Sequence, residues 1–406
     1  MVRGKSAQWR PAWQYVPVDF GTVLGTFENL TQKVIIKSLL GGEQVKLRLE
    51  NFCQKQEMRL ESVTVCASDP KREIVNGPVS VTVNGERRIR VSAGKSVETD
   101  GAFLRVYPGW DLIISMYFRE PFSVNSAHCS RSQRTFRTAF LNGDRSMDPE
   151  VKPGKTALEA LPGLRLDTNL CVAQTGLWTV SVRTEDSSAI VGLFGDSITQ
   201  MSDYSDALQE LILEEIPGEM SVLNGGISGN RLLFDAASAP ELPGGGKMYG
   251  DAGKNRLIRD LYAGICPDFL FILEGINDCT QWIGFGLSEE RPDGESLWKG
   301  MEGLIRTARQ KGSKVILSTV MPFGYSGDPF WKQAEEIRQA FNAKIRDNRK
   351  SADEFLDLDE IIRKPEDPSS MRDGLHLGDG VHPDAEGGKL IARALYDVLR
   401  NMAFMR

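Results

Sequence analysis

The chain has 406 residues, 41% hydrophobic and 26% charged, the make-up of an ordinary globular protein of two or three domains. Its 49 Lys+Arg against 55 Asp+Glu leave a net charge of −6, which supplies no basic field for nucleic acid or an anionic membrane. Apolar runs such as Phe269 to Leu273 fall far short of the roughly 18 residues a membrane helix needs.

Only three histidines occur, His128, His376 and His382. A multi-histidine metal centre is therefore not expected, and histidine chemistry must come from one of three side chains. The six cysteines, Cys53, Cys66, Cys129, Cys171, Cys266 and Cys279, form no Cys-x-x-Cys pair, which argues against a zinc ribbon or a thioredoxin-type site. A chain this long needs no disulfide scaffold. The start, Met1-Val-Arg-Gly-Lys-Ser6, leads into no apolar run of a secretory signal. The expectation is a cytoplasmic protein with reduced thiols; removal of an upstream signal is the alternative.

From about Asn29 to Tyr117 the apolar residues alternate with period two. Val45, Leu47 and Leu49 alternate with Lys46 and Arg48; Val79, Val81 and Val83 alternate with Ser80 and Thr82. Asn84-Gly85 then offers a hairpin turn before Ile89 and Val91. Leu104 and Val106, then Leu112, Ile114 and Met116, continue the pattern. One apolar face per strand, and no helical stretch between strands, predict an antiparallel β-sandwich. Residues 119–175 carry no clear period. Arg131, Arg134 and Arg137 lie near His128, and Asp144 to Lys155 reads as a loop.

From about Ile190 strands and helices alternate. Ile190 to Phe194 is a short apolar run suited to a strand buried on both faces. Leu208, Leu211, Ile212 and Ile216 recur at helical spacing, closed by Pro217-Gly218. Val222-Leu223, Phe269 to Leu273, Val315 to Val320 and Phe355 to Leu358 read as strands. Met301, Leu304, Ile305 and Ala308, then Ile337, Phe341 and Ile345, and finally Ile391, Ala394, Leu395 and Val398 mark helices. This predicts an α/β domain with a parallel sheet. The boundary falls near Trp178 to Ser188, giving residues 1–185 and 186–406.

Four blocks in this second half carry chemistry. Gly195-Asp-Ser-Ile-Thr199 follows a buried strand, so Ser197 faces the crevice where open α/β sheets bind ligands, beside a helix N-terminus. Taken alone, Asp196 or Ser197 could simply cap that helix. Asn224-Gly-Gly-Ile-Ser-Gly-Asn230 is a glycine-rich loop that can aim backbone N–H groups at a reacting oxygen. Glu274-Gly-Ile-Asn-Asp278 places the Asn277 amide at the same edge. Asp379-Gly-Val-His382-Pro383 sets a carboxylate three residues before an imidazole, close enough to fix its tautomer.

In this order the blocks resemble the SGNH-hydrolase superfamily, the GDSL-type esterases and lipases, over about residues 188–402. The signature residues match as Ser197, Gly229, Asn277 and His382, with Asp379 three before the histidine. Ile198 stands where the family has leucine. The resemblance implies a three-layer, flavodoxin-like hydrolase domain preceded by a jelly-roll-like sandwich. Gly41-Gly-Glu-Gln-Val-Lys-Leu-Arg-Leu-Glu-Asn51 and Ser228-Gly-Asn-Arg-Leu-Leu233 are similar to bacterial lysophospholipase-like and carbohydrate-esterase-like members that carry such a sandwich. Two Asp-Gly-x-His copies occur, at Asp373 to His376 and Asp379 to His382; only the second leads through Pro383 into the last helix, as the family pattern requires.

The resemblance implies a serine ester hydrolase: Ser197 attacks, His382 acts as general base with Asp379 behind it, and Ser197, Gly229 and Asn277 form the oxyanion hole. No metal and no cofactor are expected. The partner is a small-molecule or oligosaccharide ester, with no nucleic acid and no membrane, and a homo-oligomer is compatible with the sequence. Removal of acetyl or other short acyl groups from a carbohydrate is the first choice. Hydrolysis of lysophospholipids, short-chain lipids or thioesters, acyl transfer, and an inactive carbohydrate-binding protein are the alternatives. Asp196, Arg231, Trp282, Phe285 and His128 are the candidate substrate-binding residues.

Overall fold

The computed structural model describes residues 7–52, 55–73, 75–166, 171–184, 188–236, 243–324 and 328–404. Cys53 and residues 185–187 of the expected boundary lie outside them. The chain divides into two compact units, Met1–Ser188 with Ile212–Leu223, and Ala189–Leu211 with Asn224–Arg406.

The first unit is built from antiparallel sheets. One has five strands in the order Phe136–Asn142, Leu30–Lys37, Asp111–Phe118, Ser62–Ser68, Val75–Ser80. In a second, Gly42–Glu50 pairs with Ser96–Glu98, Ala102–Val106 and Leu177–Thr184, which in turn pairs with Gln8–Tyr15. Val45, Leu47 and Leu49 point into the core, as their alternation predicts. The two sheets meet through rings: Trp13 of one lies edge-on to Phe136 of the other, with centroids 5.3 Å apart.

Two strand expectations are corrected. The Asn84-Gly85 turn forms, with Val83 and Glu86 exchanging both backbone hydrogen bonds. However, Ile89–Val91 pairs with Met58–Leu60, so no hairpin joins it to the strand before the turn. The turn is held instead by Asp100, whose carboxylate accepts from Thr82 Oγ1 and from the Asn84 and Gly85 N–H groups. Nor does the central strand of the five-stranded sheet keep a polar outer face. Asp111–Phe118 is buried along its whole length. Val151, from the 144–155 loop, packs on Ile35, Cys66 and Ile113. Lys33 is buried there too, bonded to the Asp148 and Glu150 carbonyls, and burial lowers its pKa.

From Ala189 the chain follows the alternating pattern. The strands there are β1 (Ala189–Gly195), β2 (Met220–Gly226), β3 (Phe269–Leu273), β4 (Lys314–Ser318) and β5 (Glu354–Leu356). Their order is β2–β1–β3–β4–β5, parallel from β1 through β5. This is the flavodoxin-like order, whose switch point lies between β1 and β3. β3 is buried throughout, as an apolar run without alternation should be. The helices are α1 (Ser197–Gln200), α2 (Asp203–Glu215), α3 (Gly253–Leu261), α4 (Ile276–Gly284), α5 (Gly294–Gln310), α6 (Lys332–Asp347) and α7 (Ala385–Phe404). α5 starts at an Asp293 capping box and stops before Gly312, at φ 92°. Among the described residues no helix is long and apolar enough to cross a membrane.

A buried ionic knot fastens α6. Arg338 forks onto Glu335 at 2.6 and 2.7 Å and reaches Asp359 at 2.7 Å and the Val320 carbonyl at 3.1 Å. Removing one partner of such a knot leaves uncompensated buried charge. Arg338→Leu is therefore expected to lower the stability of this unit by about 3–5 kcal/mol, read as a shifted urea midpoint.

Candidate active site

Ser197 stands at the first position of α1, two residues beyond the end of β1. Gly195 is required there: a Cβ would run into the Leu273 carbonyl and Thr199 Oγ1. Asp196 is the N-cap, its carboxylate accepting from the Ile198 N–H at 3.0 Å. It is buried and turned inward, so its role as a substrate contact is corrected to that of a cap.

Ser197 Oγ lies 2.8 Å from His382 Nε2, and His382 Nδ1 lies 2.7 Å from Asp379 Oδ2. Asp379, acceptor-only when ionised, fixes the tautomer: Nδ1–H donates to the carboxylate and Nε2 accepts from the serine hydroxyl. The other Asp379 oxygen accepts from the Val381 and His382 N–H groups at 2.9 Å. Partial burial pushes the Asp379 pKa up, but the bonds from the His382 ring and backbone outweigh it and hold the carboxyl well below its usual range.

The other histidine has a different place. His376 Nδ1 accepts from the Gly378 and Gly380 N–H groups, which flank Asp379. His376 and Pro383 form an antiparallel bridge, closing the loop that carries the Asp379–His382 pair. Gly378 and Gly380 have φ of 96° and 74°, a region that favours glycine.

Three donors lie around the serine loop. Gly229, at φ 71°, packs so closely on the Tyr249 ring that a Cβ would enter it. Neither the Ser197 nor the Gly229 N–H donates to a partner among the described residues. Asn277, on the first turn of α4, gives one amide hydrogen to the Asn230 carbonyl at 2.9 Å and keeps its second. Gln200 and Gln281 hold the glycine loop on either side of Gly229: Ser228 N–H donates to Gln200, and Gln281 Nε2 donates to the Gly229 carbonyl at 2.7 Å. Such a set can stabilise negative charge developing on a carbonyl oxygen.

The remaining candidates are rearranged. Arg231 is buried and committed to Glu290 and the Asp235 carbonyl, so it clamps its own loop. Trp282 is 8% exposed, donates to the Cys279 carbonyl and is covered by Arg291, 5.0 Å from its ring centre, which leaves little of it for a ligand. Phe285 is half-buried and stacks on Tyr249 at 6.0 Å, the one aromatic candidate that stays beside Gly229. His128 belongs to the core of the first unit. It is fully buried, with Nδ1 on the Tyr15 carbonyl at 2.7 Å and Nε2 on Glu50 at 3.1 Å, and offers no nitrogen to a substrate.

Tyr249, Gln200, Gln281 and Asn230 escape sequence reading, because a Tyr, Gln or Asn inside a turn or short helix has no pattern separating it from a surface residue. A cluster of buried acids is equally silent in the sequence. Burial raises Asp196 and Asp278 to about 6 and pushes Glu274 well above its usual value. Asp278 accepts from the Leu232 and Leu233 N–H groups at 2.6 and 2.9 Å and so pins the glycine loop to α4. Among the described residues, no three His, Cys, Asp or Glu side chains group as a metal would need.

A carboxyl whose pKa is raised on folding stabilises the fold fully below its unfolded value and loses that contribution as pH rises through the folded one. Asn can still cap α1. Asp196→Asn should therefore gain stability over the parent between about pH 4 and 6, reaching at most about 3 kcal/mol at neutral pH. Melting curves across that range check it, and a difference independent of pH contradicts it.

Residues 193–390 match the model of the GDSL-like Lipase/Acylhydrolase family. No curated protein matches the chain. Among solved structures, a protein described as lipolytic and of the G-D-S-L family, from Desulfitobacterium hafniense DCB-2, is 17% identical over 52% of this chain and 99% of its own, with a TM-score of 0.36. An acetyl xylan esterase, AlAXEase, is 19% identical over 52% and 99%, with a TM-score of 0.38. A variant of an acetyl xylan esterase from Geobacillus stearothermophilus is 21% identical over 54% and 96%, with a TM-score of 0.39. By the family model, residues 193–390 carry a GDSL-like lipase/acylhydrolase domain.

Proposed function

We propose that the chain is a carboxylic ester hydrolase acting through an acyl-enzyme, with Ser197 as nucleophile. The observation that carries this reading is the unbroken relay Ser197 Oγ–His382–Asp379, at 2.8 and 2.7 Å. His382 Nε2 takes the serine proton as Oγ bonds to the ester carbon. The carbonyl oxygen becomes an oxyanion facing the Ser197 and Gly229 N–H groups and the second amide hydrogen of Asn277. Collapse expels the alcohol, which takes the proton from His382. Water, deprotonated by the same imidazole, then releases the carboxylic acid and restores Ser197. Asp379 stays ionised throughout, as its lowered pKa favours.

The substrate proposed is a short acyl ester, foremost an acetyl group on a carbohydrate. Two features support it. The Tyr249 ring fills the space beside Gly229 and leaves little room for a long acyl chain there. The half-buried Tyr249–Phe285 pair offers an aromatic face of the kind against which a sugar ring packs.

Turnover of p-nitrophenyl esters of increasing chain length is the test. Acetate is expected to be the best substrate, with Ser197→Ala and His382→Ala each losing roughly 10⁴-fold or more. Asn277→Ala should lose about 10²–10³-fold in kcat. His376→Ala should lose far less than His382→Ala; the reverse order would move the base to His376. Equal activity of the Ser197 variant sinks the esterase reading, and preference for long chains sinks the short-acyl one. Acetate release from acetylated oligosaccharides then decides the carbohydrate assignment.

A further inference from the structure

Arg256, in the middle of α3, is fully buried, yet its guanidinium leaves no donor idle. A guanidinium has five N–H groups in a fixed fork. Here Nε donates to Asn230 Oδ1 at 2.7 Å; Nη1 donates to the Gly225 carbonyl at 2.7 Å and to Asp260 at 3.0 Å; Nη2 donates to the Gly195 carbonyl at 2.7 Å and to Glu274 at 3.5 Å. Its flat face lies over the Phe194 ring, 4.1 Å from the centroid.

Four of those five acceptors lie on the segments that carry the oxyanion donors. Gly195 ends β1, two residues before Ser197. Gly225 lies in β2, and Asn230 directly follows Gly229. Glu274 follows β3, three residues before Asn277. Asn230 extends the chain of bonds further: its carbonyl receives the Asn277 amide, while its own Nδ2 holds the Tyr249 and Asp251 carbonyls. α3 is in turn tied to the same loop, since Gly253 N–H donates to the Arg231 carbonyl and Lys254 N–H to the Leu232 carbonyl.

We propose that Arg256 is the positioning residue of the oxyanion hole: one rigid fork that fixes the spacing of Ser197 N–H, Gly229 N–H and Asn277 Nδ2 by holding all three of their segments. This rests on the esterase reading above. Arg256 touches no substrate and acts only through the donors it places. Lysine cannot replace it, because three hydrogens on a single nitrogen cannot reach partners spread around a planar fork. The arrangement also explains a charge with no exposure to water at this depth: Asp260 pairs with it at 3.0 Å, and the strand-end carbonyls complete its hydrogen bonding.

The test compares the parent with Arg256→Lys and Asn230→Ala. The second cuts one branch of the fork and keeps the charge, but also removes the Asn230 Nδ2 bonds to the Tyr249 and Asp251 carbonyls. Asn230→Asp, which keeps the acceptor for Arg256 and loses only those two bonds, is its control, and an equal loss of kcat in both overturns the proposal. Active sites are titrated with a fluorophosphonate, so that kcat is counted per competent serine and a misfolded fraction does not enter. Displacing the donors by about 1 Å should lower kcat 10–100-fold and leave KM within about twofold, since the donors are used in the transition state more than in substrate binding. A folded Arg256→Lys with parental kcat, or a loss appearing in KM alone, overturns the proposal. If Arg256→Lys does not fold, Asn230→Ala decides it, and parental kcat there overturns it. A parent enzyme with no Ser197-dependent turnover overturns the esterase reading instead, and is recognised without either variant.

Discussion

A single hydrogen bond, Ser197 Oγ to His382 Nε2, joins residues 185 positions apart in the chain. It exists only because two separate pieces of backbone are each held in place. On one side the parallel sheet fixes the end of β1, where Gly195 lets α1 begin without a clash and Asp196 caps it. On the other side the loop before α7 is closed on itself: the His376–Pro383 bridge, two left-handed glycines and the Asp379 carboxylate leave His382 one direction in which to point. The chemistry needs no large motion, since the acceptor on Nε2 is already formed.

Around that bond the second unit concentrates buried charge. Asp196, Glu274 and Asp278 lie under the site with Arg256 among them, and Arg338 with Glu335 and Asp359 forms a second knot on α6. Buried ion pairs are poor sources of stability, because desolvation consumes most of their attraction. Their directional bonds do something apolar packing cannot, which is to fix loops relative to strand ends. Asp278 on the Leu232 and Leu233 amides and Arg256 on the Gly195 and Gly225 carbonyls are both of this kind.

The sequence was legible where one period or one motif governs a segment. The apolar run Phe269–Leu273 is β3 to the residue, the helix around Leu304 stops before Gly312, and the Phe341 spacing falls within α6. Ser197, Asp379 and His382 meet because their motifs follow strand ends and precede the last helix. What stayed hidden depends on contacts distant in sequence. Arg256 stands in a short charged helix whose Lys254 and Arg259 are exposed, and only the fold shows that Arg256 and Asp260 turn inward. Arg231, Trp282 and His128 fail in the opposite sense: residue types suited to ligands were spent on clamps and core bonds. The strand Asp111–Phe118 lost its polar face to a loop whose path no local pattern encodes.

The central claim is that Ser197 carries the acyl group between the two halves of the reaction. Mixing the protein with p-nitrophenyl acetate, quenching in acid during the first turnover and mapping peptides by mass tests it most directly. The account predicts one added acetyl group, on the peptide containing Ser197, that disappears as substrate is exhausted. An acetyl group carried on any other residue, or turnover with no acylated peptide in the burst, would contradict it.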